Sequence, residues 1–160
     1  MILQSERVVT LVVDGSQIHA ERVRECEYAG IVVDRRKICT DFQVRTQGRN
    51  RVEAAAVYLG RKAPRELMTE VATDGRRSGR VEELEVFAPL AVKFLPKWAK
   101  VLAMAAPNAE ASILVVEVPC LRWDELAECW VLTSVQIDYG APYPKGVYFG
   151  LVVKDIPAPR

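Results

Sequence analysis

Apolar and polar residues alternate with period two through much of this chain, most clearly near its C-terminus. Val131, Thr133, Val135, Ile137 and Tyr139 fall on one face of an extended segment, and Val147, Phe149, Leu151 and Val153 on one face of another. Period two is the signature of a strand, because successive side chains point to opposite sides of the pleat. Between the two runs, Gly140-Ala141-Pro142-Tyr143-Pro144-Lys145-Gly146 reads as a long turn. The pair is expected to close as a β-hairpin.

The same reading applied from the N-terminus gives a β-branched strand over 8–13 that ends at Asp14-Gly15, a turn signal. Residues 18–28 are expected to return as its partner, an edge strand marked by Glu21, Arg22, Arg24, Glu25 and Glu27; a helix competes there, because Ala20-Glu21-Arg22-Val23-Arg24 contains good helix formers. A short strand is expected over 31–33. Ile38, Thr40, Phe42, Val44 and Thr46 alternate with Cys39, Asp41, Gln43 and Arg45, which predicts a half-buried strand, with Val52, Ala54, Ala56 and Tyr58 as its antiparallel partner. Pro64 with Leu67, Met68 and Val71, followed by Gly75, predicts a helix over about 64–74. The glycine-flanked segment 74–80 is expected to be a mobile basic loop.

Glu83 and Glu85 alternate with Leu84 and Val86, so a strand is expected over 81–87. Trp98, Val101, Leu102 and Ala105 share a helical face, which predicts a short helix after Pro96. A turn at 108–111, a continuous apolar strand over 112–118 ended by Pro119, and one helical turn over 124–129 complete the series. The proline-bearing tail over 156–160 is not expected to pair as an interior strand. Eight or nine strands and one or two short helices, joined mostly as hairpins, predict a mainly β fold. The expected architecture is an antiparallel β-sandwich or partly closed barrel.

Composition sharpens this only in places. A chain of 160 residues, half of them hydrophobic, suits a single domain spanning 1–160. No apolar run reaches the roughly 18 residues of a membrane helix, and the first residues lack a secretory layout. A cytoplasmic setting is the default expectation. Cys26, Cys39, Cys120 and Cys129 match neither a compact disulfide framework nor paired zinc ligands; buried free thiols are favoured over disulfides, and both over a metal. The net charge of +1 hides a segregation: residues 35–80 carry twelve basic and five acidic side chains, while the flanking regions are each net acidic.

Chemistry is sparse. His19 is the single histidine, with no partner visible in sequence, so a surface or interface position is expected for it. Glu83 and Glu85, on one strand face, would stand roughly 7 Å apart, near a glycosidase pairing, but a solvated strand face or a partner to the arginine-rich segment is the expected reading. Gly75-Arg76-Arg77-Ser78-Gly79-Arg80 could wrap an anion or touch a neighbouring subunit; it lacks the Lys-Ser/Thr ending of a nucleotide-binding P-loop. Its arginine spacing is similar to that of cyclic-dinucleotide-binding barrels, without their acidic-Ser-Gly signature. Arg76, Arg77, Arg80 and the turn residue Tyr143 are therefore the candidate interface or anion-binding residues. No catalytic residue, metal ligand, cofactor or small-molecule substrate is assigned, and an enzyme is not expected.

The last thirty residues, from Trp130-Val131-Leu132-Thr133-Ser134-Val135-Gln136-Ile137 to Gly146-Val147-Tyr148-Phe149-Gly150-Leu151-Val152-Val153-Lys154-Asp155, resemble the closing sheet of bacteriophage tail-tube and baseplate proteins. The resemblance is confined to that stretch. It implies a virion component, a structural β-barrel or sandwich that oligomerises into rings, extends sheets across subunits and performs no catalysis. Copies of itself and other virion proteins would be its partners. The charge segregation is compatible with complementary faces meeting head to tail. The alternative is a nucleic-acid-binding β-barrel that uses the arginine-rich segment 35–80.

Overall fold

The computed structural model describes residues 7–105, 115–141 and 147–157. In chain order the elements are β1 (Val9–Asp14), α1 (His19–Tyr28), β2 (Val32–Val33), α2 (Arg35–Asp41), β3 (Arg49–Tyr58), α3 (Pro64–Thr73), β4 (Arg77–Ser78), α4 (Val81–Ala91), β5 (Ala99–Leu102), β6 (Val115–Asp124), β7 (Cys129–Asp138) and β8 (Val147–Ile156). One sheet of eight strands, ordered β1-β3-β8-β5-β6-β7-β2, curls into a half-barrel; β4 pairs β8 just beyond the point where β5 stops. The sheet is mixed. β5 runs parallel to β8 and β2 parallel to β7, and the other pairings are antiparallel.

Both faces of the sheet are covered. Leu11, Val13, Val52, Leu121, Leu132 and Leu151 pack with Val23 of α1, Ile38 of α2 and Leu84 and Phe87 of α4 on one side. On the other, Leu67 and Val71 of α3 pack with Leu102, Met104, Val118, Cys120, Ile137 and Tyr139. Tyr139 is fully buried, and its hydroxyl donates to the Met104 carbonyl at 2.6 Å.

The sheet-rich expectation and the α3 helix, with Pro64 in its first turn, hold. The purely antiparallel sandwich does not, and the reason lies in the C-terminal pair. β7 and β8 fall on the two alternating runs, but they are not partners, for β5 and β6 stand between them. β8 pairs with β3 from Arg51↔Ile156 to Tyr58↔Phe149, and with β5 along its other edge. Alternation reports which side chains share a face whichever neighbours the strand takes, so periodicity does not determine pairing. The Tyr143 turn that joins β7 to β8 lies outside the described residues, as do the expected turn at 108–111 and the start of the expected strand at 112.

Three further expected strands are helical. Residues 18–28 are α1, because Arg22, Val23 and Cys26 recur at helical spacing and are buried together. Residues 35–41 are α2, which starts at Asp34, whose carboxylate accepts the Lys37 N–H, and which buries Ile38. Residues 81–91 are α4, where Val81, Leu84, Ala88 and Ala91 line one face. Glu21, Arg24, Glu25 and Glu27 are exposed, on a helix rather than a strand, but 81–87 does not form the expected solvated strand face. Instead Arg22, Glu82, Glu83 and Glu85 are buried.

Conversely, the expected helix after Pro96 is β5, which β8 and β6 flank and which buries Ala99, Val101 and Leu102. Pro119 lies inside β6 and does not end it. Its carbonyl accepts the Ala103 N–H at 3.0 Å, so its nitrogen faces β5, which ends at Leu102, and no bond of the β6–β7 ladder is lost. Residues 125–128 form turns that join β6 to β7. Part of the expected basic loop is ordered as β4, at Arg77–Ser78.

Candidate functional site

Helix α4 is the centre of the molecule, and its first turn and a half carries three carboxylates, Glu82, Glu83 and Glu85, all essentially inaccessible to solvent. The unpaired N–H groups and dipole at a helix N-terminus favour negative charge there, but burial of three carboxylates requires donors for each. Each takes its donors from a different part of the chain.

Glu85 faces α1. Arg22 Nε donates to its Oε1 at 2.9 Å, and His19 Nδ1 lies 2.8 Å from its Oε2. Arg22, itself 2% exposed, also donates to the carbonyls of Asp14 and Gln17. His19 Nε2 reaches the Phe42 carbonyl at 2.9 Å. A carbonyl and a carboxylate can only accept, so both ring nitrogens act as donors and the ring is held as imidazolium. The hydrogen bond to Glu85 raises the His19 pKa above its usual 6.5, against the opposing effect of burial. His19 thus has partners that are not visible in sequence, and they leave it no free nitrogen with which to act as a base.

Glu82 faces the loop before β3. Its Oε2 accepts the backbone N–H of Arg45 at 2.6 Å and of Thr46 at 3.0 Å. Thr46 in turn touches Gly15: a Cβ at Gly15 would come within 1.6 Å of the Thr46 carbonyl oxygen, so only glycine fits. Glu83 faces β4. Its carboxylate takes a bidentate pair from Arg77 at 2.8 and 2.7 Å and the backbone N–H of Arg80 at 2.8 Å. Arg77 is shared with Asp155 of β8, whose carboxyl its hydrogen bonds hold below the usual 3.8.

A thiol completes α4. Pro89 lies inside the helix and has no N–H for the carbonyl four residues earlier, that of Glu85. The Cys26 thiol occupies the vacated direction, donating to the Glu85 carbonyl at 3.2 Å. Burial pushes the Cys26 thiol up to about 12, which keeps it protonated and able to donate. All four cysteines are free thiols.

The three arginines grouped by their place in the sequence are therefore separated in role. Arg77 is an internal clamp between Glu83 and Asp155. Arg76 pairs with Asp74 at 3.0 Å near the surface. Arg80 keeps its guanidinium largely uncommitted, with a 3.4 Å contact to the Thr46 hydroxyl. Other cations of the basic segment are paired as well: Arg35 with Glu27, Lys37 with Glu117 and Lys62 with Glu70. The buried carboxylates lie in plain view in the sequence; their partners, separated from them by as many as 66 residues, do not.

Two cavities flank this core. The larger, about 820 Å³, runs beside α3 and the end of β3; its cations Lys62 and Arg76 are engaged with Glu70 and Asp74. The smaller, about 330 Å³, lies between residues 40–45 and the start of α4 and is lined by Arg45 and Arg80 among others. Among the described residues, no set of histidine, cysteine and carboxylate groups is arranged to hold a metal ion, and no helix is long and apolar enough to cross a membrane.

At the sheet margin, β1 pairs β3 along one edge, and no described strand takes its other edge. Its residues Val9 to Val13 are uncharged and largely β-branched, and Val12, with Val8 just before the strand, is exposed, at 42% and 58% respectively. At the opposite margin β2 is two residues long and pairs only Val131 and Leu132 of the ten-residue β7.

Compared with protein-family models, curated proteins and solved structures, the chain matches none of them.

Proposed function

We propose that the chain is a structural, self-assembling protein of the phage tail or baseplate kind, and that its working part is the open edge of β1. The observation that carries this reading is the edge itself. Edge strands of monomeric proteins are blunted by lysine, proline, bulges or brevity, since unpaired N–H and C=O groups recruit another strand. β2 is blunted by brevity. β1 has six residues and none of these devices before its terminal Asp14.

The occupant is a second copy of the chain. At the opposite margin β2 interrupts the edge of β7 at Val131 and Leu132, whereas β1 offers an uninterrupted edge to a second β1. Pairing of β1 with β1 across a two-fold axis satisfies both edges and closes. Assembly therefore starts from a dimer with one continuous sheet, and larger particles add other contacts to it. The nucleic-acid alternative is weaker, because Arg35, Lys37, Lys62, Arg76 and Arg77 of the basic segment are spent on ion pairs.

Val12→Glu tests the proposal. Within one chain Val12 lies opposite Arg51, so the new carboxylate gains a cross-strand partner and the fold is kept. Across the two-fold axis it meets its own copy near the middle of the strand. Light scattering should give a dimer or larger species for the unaltered chain and a monomer for V12E with unchanged circular dichroism. A monomeric unaltered chain at high concentration, or a V12E variant that still assembles, would sink the reading.

A further inference from the structure

We propose that the cavity between residues 40–45 and the start of α4 is a binding site for a small organic anion, held by the guanidiniums of Arg45 and Arg80. Two adjacent carboxylates of α4 place these arginines. Glu82 accepts the backbone N–H of Arg45 at 2.6 Å, and Glu83 accepts the backbone N–H of Arg80 at 2.8 Å. Both arginines are thus fixed at the backbone, while their side chains line one cavity. Neither guanidinium has a direct carboxylate partner among the described residues: Asp155 acts on Arg80 only at longer range, and Arg80 has otherwise the long contact to Thr46. This separates them from Arg77, whose fork is filled by Glu83 and Asp155.

Two forked donors on one cavity wall match a phosphate or carboxylate, which accepts paired N–H groups in a plane. Thr40 and Gln43 add neutral polar groups, and Asp41 adds one opposing charge. Phe42, Val81 and Pro119 supply an apolar wall, so the ligand carries a compact apolar body behind its anionic group. At about 330 Å³ the space lies at the small end of ligand pockets, which suits a single ring or short chain. The site owes nothing to β1 and would be present equally in monomer and assembly.

Isothermal calorimetry with phenyl phosphate, benzoate, inorganic phosphate and neutral phenol as probes tests it. Saturable binding of phenyl phosphate or benzoate is expected, weakened about tenfold or more in Arg45→Gln and in Arg80→Gln, with phenol not bound. The stronger of the two aromatic anions identifies the phosphate or carboxylate class. Asp41→Asn removes the opposing charge and should tighten binding severalfold, an effect that damage to the fold would not produce. Absence of saturation by every anion up to about 10 mM, or unchanged affinity in both arginine variants, would overturn the proposal.

Discussion

At the scale of single residues, the chemistry of this protein lies in groups that are unusual for where they are. Cys26 is the clearest. Its thiol substitutes for the backbone N–H that Pro89 cannot supply to the Glu85 carbonyl, so cysteine and proline form a functional pair across two helices. A double-mutant cycle isolates the pair. Cys26→Ala should cost about 1–3 kcal/mol in urea unfolding, because it leaves a buried carbonyl unpaired. Pro89→Ala restores the N–H, so Cys26→Ala should cost clearly less in that background. Equal cost in both would show that the thiol acts by packing alone. His19 gives the second test. Its folded-state pKa is raised above 6.5, so its contribution to stability is complete below about pH 6.5 and is lost as pH rises through the raised value. Unfolding free energy should decline across that alkaline window, and His19→Gln should flatten the decline. Asp155 acts with the opposite sign: its pKa lies below 3.8, so its contribution is present above that value and is lost on further acidification.

At the scale of elements, what is legible in the sequence and what is hidden follow from one rule. Alternation reports which residues share a face, and it marks the runs that become β7 and β8. It does not report neighbours, so their separation by β5 and β6 is not legible. Proline in the first turn and helical spacing identify α3, which is amphipathic and covers one sheet face. The failures concentrate on α1 and α4, which turn Arg22 and Glu82, Glu83 and Glu85 inward. Glu82, Glu83, Glu85 and Arg22 violate the expectation that charged residues lie in solvent, and they do so because each finds donors or acceptors supplied by other elements. Within seven residues of α4, Glu83-Leu84-Glu85-Val86 mimics a strand; only the spacing of Val81, Leu84, Ala88 and Ala91 reveals the helix. The arginine island is visible as composition, but its division into an internal clamp, a surface pair and a cavity wall depends on contacts with β8, Asp74 and residues 40–46. His19 looks partnerless in sequence for the same reason, since Glu85 and Phe42 are remote from it along the chain.

At the scale of the whole molecule, the two margins of the sheet differ: one is interrupted by a short strand and the other is open along its length. β2 covers only Val131 and Leu132 of β7, helices cover both faces, and Arg22 and Arg77 compensate Glu85 and Glu83 while backbone N–H groups hold Glu82. Whereas β2 interrupts the edge of β7 at Val131 and Leu132, the β1 edge is the one that no described strand covers at any point along its length. If a second copy covers it, folding stability and association are linked, because the dimer binds what the unfolded chain does not. The melting temperature should then rise with protein concentration, by an amount set by the dimer dissociation constant. V12E should abolish that dependence while its own melting temperature stays near the low-concentration value of the unaltered chain, since the introduced carboxylate faces Arg51 within the same sheet. Differential scanning calorimetry over a hundredfold range of concentration measures both slopes. A concentration-independent transition in the unaltered chain would mean that the β1 edge stays open in solution, and the assembly reading would have to be abandoned.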